Sequence, residues 1–274
     1  LPERRHLHNQ KKQVKMSNTY QKLAQFDPKY DCVETTPRVK YLILSEARSG
    51  STMLSSALQA SGIAGVPMEY FHPDAASCLP QPITEKVVVQ YITDLESRRT
   101  TPNGIFGIKL QLQQFKRFFV RDNRLTGYGA RYLRSFDKCI ILNRKDRLAQ
   151  AISFVEAKKR GMWNSEKKID ERAYSSSFTT RETELVLYRL LAATKTKRTW
   201  ENLSNSLKIN SYHTDYEMLV DDWPTQIKLI MGHLGLRPLS YPEPTTVKLA
   251  ADDHHDAKIA FLSEIGIESN FRTR

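Results

Sequence analysis

The chain has 274 residues, of which 40% are hydrophobic, and its 42 Lys and Arg against 30 Asp and Glu give a formal net charge of +12. This length and apolar content suffice for one sizeable buried core, and no stretch approaches the roughly 18 apolar residues of a membrane span. The composition therefore predicts a soluble chain without integral membrane contact. The positive charge suits a polyanionic ligand, but without a helix-turn-helix, zinc-finger or RNP pattern we predict no nucleic-acid partner.

Residues 1–37 are predicted to form a basic N-terminal arm, and residues 38–274 a single folded domain. The arm holds part of the excess of Lys and Arg, which is typical of a solvated segment. Cys32, Cys78 and Cys139 are odd in number and widely spaced. They indicate neither a disulfide framework nor a zinc site, so we expect a reducing, cytoplasmic location.

The first element of the predicted domain is an apolar strand over 39–44, followed by a small-residue turn and a helix over 52–60. This order places the turn at the carboxyl end of a buried strand. Open α/β sheets bind their ligands at such positions. The turn is therefore the first candidate for a ligand site.

The chemistry of the turn favours an anion that needs no metal. Gly50-Ser51-Thr52 stands where a triphosphate loop has G-K-[ST], so Ser51 replaces the lysine and Arg48 supplies the cation. Helix N-terminal N–H groups, hydroxyls and one guanidinium suit a phosphosulfate better than a triphosphate. The alternative left open here is a plain turn in which Ser49 or Ser51 caps the helix and nothing binds.

The remaining periodicities continue a β-α-β alternation. They predict helices over 84–97, 182–203 and 224–234, and a further helix after Asn143. The helix over 224–234 is expected to be the last of the chain. They also predict strands over 105–110, 138–143 and 211–214, and a flexible loop over 174–180. We therefore predict an α/β fold: one domain with a central parallel sheet flanked by helices.

Several segments, taken in chain order, carry a resemblance to a known family. They are the turn Ser45-Glu46-Ala47-Arg48-Ser49-Gly50-Ser51-Thr52, then residues 65–71, 101–110, 143–146 and 150–154. Over residues 38–260 the chain resembles the bacterial sulfotransferases of the trehalose 2-sulfotransferase type. The resemblance implies a P-loop-NTPase-like sulfotransferase fold. It also implies metal-independent, in-line transfer of the sulfuryl group of 3'-phosphoadenosine 5'-phosphosulfate (PAPS), which leaves adenosine 3',5'-bisphosphate.

The resemblance further implies how the donor is held. It assigns the 5'-phosphosulfate to Arg48, Ser49, Gly50, Ser51 and Thr52, the 3'-phosphate to Arg144 and Ser153, and a further phosphate contact to Lys248. Arg144 ends the predicted strand 138–143, and Ser153 lies two turns into the following helix. The alternative for Ser153 is a hydroxyl that bonds back to its own helix.

Glu69 is the candidate general base. In the resembling family, the glutamate of this G-x-P-x-E-[FY]-F motif deprotonates the acceptor hydroxyl. The neighbours Tyr70 and Phe71 create an apolar setting that can raise a carboxylate pKa towards neutrality. Tyr70, Phe71 and His72 are expected beside the acceptor, and His72 is the alternative base. Lys109 matches a family lysine near the sulfuryl group and joins Glu69 and Arg48 as a catalytic candidate.

Two other functions stay open at this level. A metal-dependent nucleotide kinase is disfavoured because Ser51 replaces the lysine, and a non-enzymatic basic binder of anions or nucleic acid would need a degenerate loop. The cluster Asp252-Asp253-His254-His255 predicts no metal site, since adjacent residues rarely point at one ion. The acceptor is expected to be a small molecule or carbohydrate bearing a hydroxyl or amine, and a homodimer is left open.

Overall fold

The computed structural model describes residues 23–161, 163, 177–244 and 254–267. Its strands are β1 Val39–Ser45, β2 Ile105–Gln111, β3 Val120–Arg121, β4 Arg124–Leu125, β5 Lys138–Asn143 and β6 Asn210–Asp215. A four-stranded sheet has the order β2-β1-β5-β6, and each neighbouring pair is parallel. β3 and β4 form a separate antiparallel hairpin. The predicted α/β architecture with a central parallel sheet is confirmed.

Helices cover the sheet and connect its strands. They are α1 Ser51–Ala60, α2 Pro73–Ser77, α3 Glu85–Arg99, α4 Leu112–Phe119, α5 Gly127–Arg134, α6 Arg147–Arg160, α7 Thr180–Leu207, α8 Tyr216–Asp221, α9 Trp223–Leu234 and α10 His255–Glu264. Among the described helices, none combines the length and the hydropathy that crossing a membrane would require.

The core lies on both faces of the sheet, which explains why β1, β2 and β5 are largely apolar. In β1, Leu42 and Leu44 join one buried cluster, whereas Tyr41 and Ile43 join the cluster on the opposite face. Successive side chains of a strand point to opposite faces, so a central parallel strand must be apolar at every position. The run that predicted β1 is thus a direct result of burial on both sides.

Most predicted elements are present with shifts of a few residues at their ends. The helices predicted over 84–97, 182–203 and 224–234 appear as α3, α7 and α9. The helix predicted as the last one is followed by α10, so that expectation is wrong. Of the predicted loop 174–180, residues 174–176 lie outside the described residues, and α7 already begins at Thr180.

Part of the predicted N-terminal arm belongs to the packed domain. Phe26 is buried in the same cluster as Tyr70 and Tyr91, and its ring centroid lies 5.9 Å from that of Tyr70. The fully buried Arg99 donates to the carbonyl of Asp27 at 3.3 Å and pairs with Asp31 at 3.1 Å. The packed chain therefore begins before residue 38.

Candidate active site

The carboxyl ends of the sheet strands lie along one edge. β1 ends at Ser45, β2 at Gln111, β5 at Asn143 and β6 at Asp215. Because the strands are parallel, the segments that leave them meet at this edge, which is where open α/β sheets bind ligands. The candidate residues on or after β1, β2 and β5 are brought together here.

Residues 46–50, called below the 46–50 loop, turn the chain from β1 into α1. The N-cap of α1 is Gly50 at φ +81°, and no side chain caps this end. A Cβ at Gly50 would stand 2.6 Å from Cδ2 of Tyr216, so the position requires glycine for space as well as for conformation. The Ser49 hydroxyl donates to the Glu46 carbonyl at 2.8 Å. The first-turn N–H groups are therefore not satisfied by a cap, which is the arrangement that binds anions.

Arg48, within this loop, has an uncommon backbone conformation. Its φ is +65°, a value that non-glycine residues adopt rarely and that concentrates at functional sites. Its Nε donates to Oγ of Ser153 at 3.0 Å, and its Nη1 donates to the carbonyl of Trp163 at 2.9 Å. Arg48 and Ser153, assigned to different ends of the donor, thus lie in direct contact.

Arg144 follows β5 and points back to the same loop. Only 8% of the residue is exposed, its Nη1 donates to the carbonyl of Arg48 at 3.4 Å, and its guanidinium lies 4.6 Å from the ring centroid of Tyr216. Stacking on an aromatic ring fixes the plane of a guanidinium. Arg144, which follows a different strand, therefore reaches the loop that contains Arg48.

Glu69 reaches the site because its segment lies alongside β2. Met68 forms a parallel bridge with Ile108 and accepts from the backbone N–H of Lys109 at 3.1 Å. The approach is close, since a Cβ on Gly65 would stand 2.9 Å from the backbone nitrogen of Gly107. This pairing puts Glu69 and Lys109 side by side.

Lys109 links the candidate base to the loop helix. Its Nζ lies 3.0 Å from Oε1 of Glu69 and donates to Oγ1 of Thr52 at 3.0 Å. The residue is only 6% exposed, so this ammonium is committed to these two oxygens more firmly than a surface lysine would be. One cation therefore joins the carboxylate to the first turn of α1.

Two glutamines at the start of α4 complete the contacts of Glu69. Gln111 Nε2 donates to Oε1 at 3.1 Å, and Gln114 Nε2 donates to Oε2 at 2.6 Å. Oε1 of Gln114 accepts from the backbone N–H of Gln111 in a capping box. This bond orients the Gln114 amide so that its NH₂ faces Glu69. Sequence reasoning missed both residues, because Gln111 is not one of the usual N-cap residues that announce a helix start.

The electrostatic setting of Glu69 differs from the expected one. Burial alone raises the pKa of Glu69, but the Lys109 ammonium and the hydrogen bonds from Lys109 and Gln114 outweigh it, and the pKa lies below its ordinary value. The expectation of a pKa raised towards neutrality is therefore wrong. Hydrogen bonds and a paired cation favour the charged carboxylate, so Glu69 is ionised at neutral pH.

The structure separates the predicted acceptor contacts into core and surface residues. Tyr70 and Phe71 are fully buried: the Tyr70 hydroxyl donates to the Val66 carbonyl at 2.5 Å, and Phe71 packs on Phe118 with centroids 4.9 Å apart. Their placement beside the acceptor is corrected, because fully buried side chains of the core do not reach a ligand. The partly exposed His72 caps α2, since its Nδ1 accepts from the N–H of Asp74 at 3.3 Å.

Other functional candidates were missed or fall outside the described residues. Lys248 lies outside them. Glu217 of α8 accepts from the N–H groups of Lys145 at 2.9 Å and Asp146 at 3.0 Å, and so fixes the turn that carries Arg144. No local pattern pairs Glu217 with a segment 71 residues earlier.

Within the described ranges, no group of three His, Cys, Asp or Glu side chains could hold a metal ion.

Comparison with known proteins decides the family. The sequence profile described as Stf0 sulphotransferase matches residues 40–259, a range that includes the loop, both arginines, Lys109 and Glu69. The chain belongs to the Stf0 sulphotransferase family. It is therefore an enzyme of the sulfotransferase class, and the observed fold is that of a sulfotransferase. The kinase and the non-enzymatic binder, which the sequence alone left open, are set aside.

Two curated relatives carry the same name. A trehalose 2-sulfotransferase of Mycolicibacterium smegmatis is 24% identical over 248 residues, which cover 79% of this chain and 91% of the relative. A trehalose 2-sulfotransferase of Mycobacterium tuberculosis is 30% identical over 155 residues, which cover 45% of this chain and 58% of the relative. The resemblance to this type of sulfotransferase is confirmed at low identity.

Proposed function

We propose that this Stf0-family enzyme transfers a sulfuryl group from PAPS to a carbohydrate hydroxyl, with Glu69 as the general base. The observation that carries the proposal is the position of Lys109, whose Nζ is 3.0 Å both from Glu69 and from Thr52. A donor held at the 46–50 loop and an acceptor hydroxyl held at Glu69 would meet at this ammonium. The geometry thus supports a reaction centre between the loop and the carboxylate.

The polar groups at the sheet edge fit the donor. The uncapped first turn of α1 and the Arg48 guanidinium suit the 5'-phosphosulfate, and the mostly buried Arg144 suits the separate 3'-phosphate. Ser153 contacts Arg48, and its hydroxyl can donate a hydrogen bond to either of these two groups. When bound, the donor supplies an activated sulfuryl group whose bond to the 5'-phosphate oxygen breaks as the acceptor oxygen attacks.

Glu69 and Lys109 have complementary tasks in this transfer. Glu69 is ionised, so it can take the proton of the acceptor hydroxyl as the new oxygen–sulfur bond forms. Gln111 and Gln114 hold the carboxylate in one orientation. Lys109 offers positive charge to the oxygens that carry negative charge during transfer. Positioning and electrostatics dominate, as in the related chemistry of phosphoryl transfer.

The names of the curated relatives support a carbohydrate as the acceptor class. Both are trehalose 2-sulfotransferases, so we propose a hydroxyl of a small saccharide rather than an amine. Trehalose is the first acceptor to assay. An acceptor screen with labelled PAPS and a panel of mono- and disaccharides tests this part separately from the donor.

The donor site can be tested without knowledge of the acceptor. We expect adenosine 3',5'-bisphosphate to raise the thermal midpoint of the purified protein, because a ligand that binds only the folded state stabilises it. ATP with Mg²⁺, 5'-AMP and a DNA duplex are the comparison ligands. A larger shift with ATP or DNA, or no shift with the bisphosphate, would contradict the proposed donor.

Arg144→Ala is expected to reduce discrimination for the 3'-phosphate. The variant should bind adenosine 3',5'-bisphosphate more weakly by about 10- to 100-fold, the loss typical of a charge-assisted contact to phosphate. Binding of 5'-AMP, which lacks the 3'-phosphate, should change much less. Isothermal titration with both nucleotides measures the two losses on one preparation.

Arg131→Ala is the matched control for this loss of a cation. Arg131 pairs with Glu85 at the surface, and its side chain is 68% exposed. Removing it lowers the net charge equally but should leave both affinities unchanged. Equal losses of bisphosphate and 5'-AMP in Arg144→Ala would show that Arg144 does not contact the 3'-phosphate.

A further inference from the structure

The 46–50 loop contains its own buried acidic residue, Glu46. Its carboxylate accepts hydrogen bonds from Nη2 of Arg189 and, at 2.7 Å, from Oγ1 of Thr196. The side chains of Glu46 and Arg189 are 10% and 6% exposed. A carboxylate two residues from Arg48 would repel the anion that this loop binds unless its charge is neutralised.

Arg189 is placed to supply that neutralisation. Its guanidinium carbon lies 3.8 Å from the ring centroid of Phe154, and that ring packs edge-on against Trp163 at 5.3 Å. The carbonyl of Trp163 is the one that accepts from Arg48. The cation thus lies in a contiguous cluster with the ligand-facing arginine, and solvent screening of the buried Glu46–Arg189 pair is weak.

The same helix also holds the backbone of the loop. Arg189, Thr196 and Trp200 lie on one face of α7 because they are two turns and then one turn apart. Trp200 Nε1 donates to the carbonyl of Ser45 at 3.1 Å, and Gln150 of α6 donates to the carbonyl of Ala47 at 2.8 Å. These bonds direct the carbonyl oxygens around the loop towards α6 and α7. Both the charge and the orientation of the loop thus depend on these two helices.

We propose that Arg189 is a positioning residue that sets the anion affinity of the 46–50 loop by neutralising Glu46. This inference rests on the proposed function, which places the donor's 5'-phosphosulfate at the loop. Arg189 acts through Glu46, so α7 contributes to donor affinity by way of one buried ion pair. The pair is an electrostatic part of the site and not only a link between helix and sheet.

The test compares two single variants with their double variant. Arg189→Met leaves the Glu46 carboxylate uncompensated, and should weaken 5'-AMP and adenosine 3',5'-bisphosphate by equal factors of about 10 to 100. Glu46→Gln removes the repelling charge and keeps acceptor capacity for Thr196, so its affinities should equal or exceed those of the wild type. The double variant should regain affinity to within about threefold of the wild type, because the net charge of the pair is again zero.

Several outcomes would overturn the inference. If both single variants bind weakly and the double variant binds no better, the pair has a structural role alone. If Arg189→Met binds both nucleotides as the wild type does, Arg189 does not set affinity. Wild-type protein that binds neither nucleotide would overturn the proposed function first and the inference with it, so the two failures are distinguishable.

Two further variants protect the test against loss of folding. Thr196→Val serves as the test if Arg189→Met does not fold. It removes one hydrogen bond to Glu46 without exposing a charge, and should lower the affinity for both nucleotides by about two- to fivefold. Unchanged affinity in Thr196→Val would then count against the proposal. Lys197→Met is the control on the same helix, since Lys197 pairs with Glu201 at 3.9 Å on a more exposed face. Its nucleotide affinities should match those of the wild type.

Discussion

Glu69→Gln is expected to lower kcat by about 10²- to 10⁴-fold while leaving donor affinity nearly intact, because an amide cannot accept the proton of the acceptor hydroxyl. The donor groups on the 46–50 loop and Arg144 are untouched by the change. Lys109 keeps its bond to Thr52. Single-turnover assays with labelled PAPS, together with titration of adenosine 3',5'-bisphosphate, measure the two quantities separately.

Glu96→Gln is a closely matched control. Glu96 also pairs with a lysine, Lys40, and its side chain is 20% exposed against 21% for Glu69. Lys40 lies near the start of β1, away from the edge where the candidate residues meet. Retention of most activity in Glu69→Gln would show that Glu69 is not the base. His72, whose side chain is 42% exposed, would be tested next.

Lys109→Met is expected to lower kcat by about 10²- to 10³-fold and to change the pH dependence of the rate. The loss of rate follows from removing a cation at the reaction centre. The pH dependence changes because the pKa of Glu69 is set by its burial, by the charge of Lys109 and, more weakly, by that of His72. Without the ammonium, two of the causes that offset burial are lost, so the pKa of Glu69 rises.

The acidic limb of the pH–rate profile should move when Lys109 is removed. A base must be ionised, and in the wild type the pKa of Glu69 lies below its ordinary value, so the acidic limb of kcat/KM should lie below the range of an ordinary glutamate. In Lys109→Met the limb should move to higher pH, because the cation that lowers the pKa of Glu69 is gone. Profiles of kcat/KM against pH for both proteins measure the shift.

Lys40→Met is the control for this second prediction. Lys40 pairs with Glu96 and donates to the Ser135 hydroxyl at 2.7 Å, so its removal also breaks a partly buried ion pair. The acidic limb of kcat/KM in Lys40→Met should coincide with that of the wild type. A limb that stays in place in Lys109→Met would show that Lys109 does not control the ionisation of Glu69.

The elements predicted from periodicity were found, whereas short or locally capped elements were missed. β1 was recognisable because burial on both faces demands an uninterrupted apolar run. α4 was missed because it follows β2 directly, and the polar residues Gln111, Gln113 and Gln114 lie around its start. The β3–β4 hairpin has strands of two residues each, too short for an alternating pattern.

Site residues could be predicted from the sequence when they belong to one contiguous motif. Arg48, Gly50 and Thr52 belong to one turn, and the position of that turn after a strand indicated a ligand site. Tyr70 and Phe71 were assigned to the acceptor by adjacency to Glu69, but their side chains turn into the core. Adjacency in sequence does not determine which face of a segment a side chain takes.

The sequence by itself determined the fold class, the place of the candidate anion-binding turn and the identity of the candidate acid and cations, since strand burial and short motifs are local properties. Only the tertiary structure decided the state of those groups. The pKa of Glu69 depends on Lys109, 40 residues further along, and Glu46 is neutralised by Arg189, 143 residues away. Electrostatic energies depend on distance in space and on burial, and neither quantity is encoded in a local pattern.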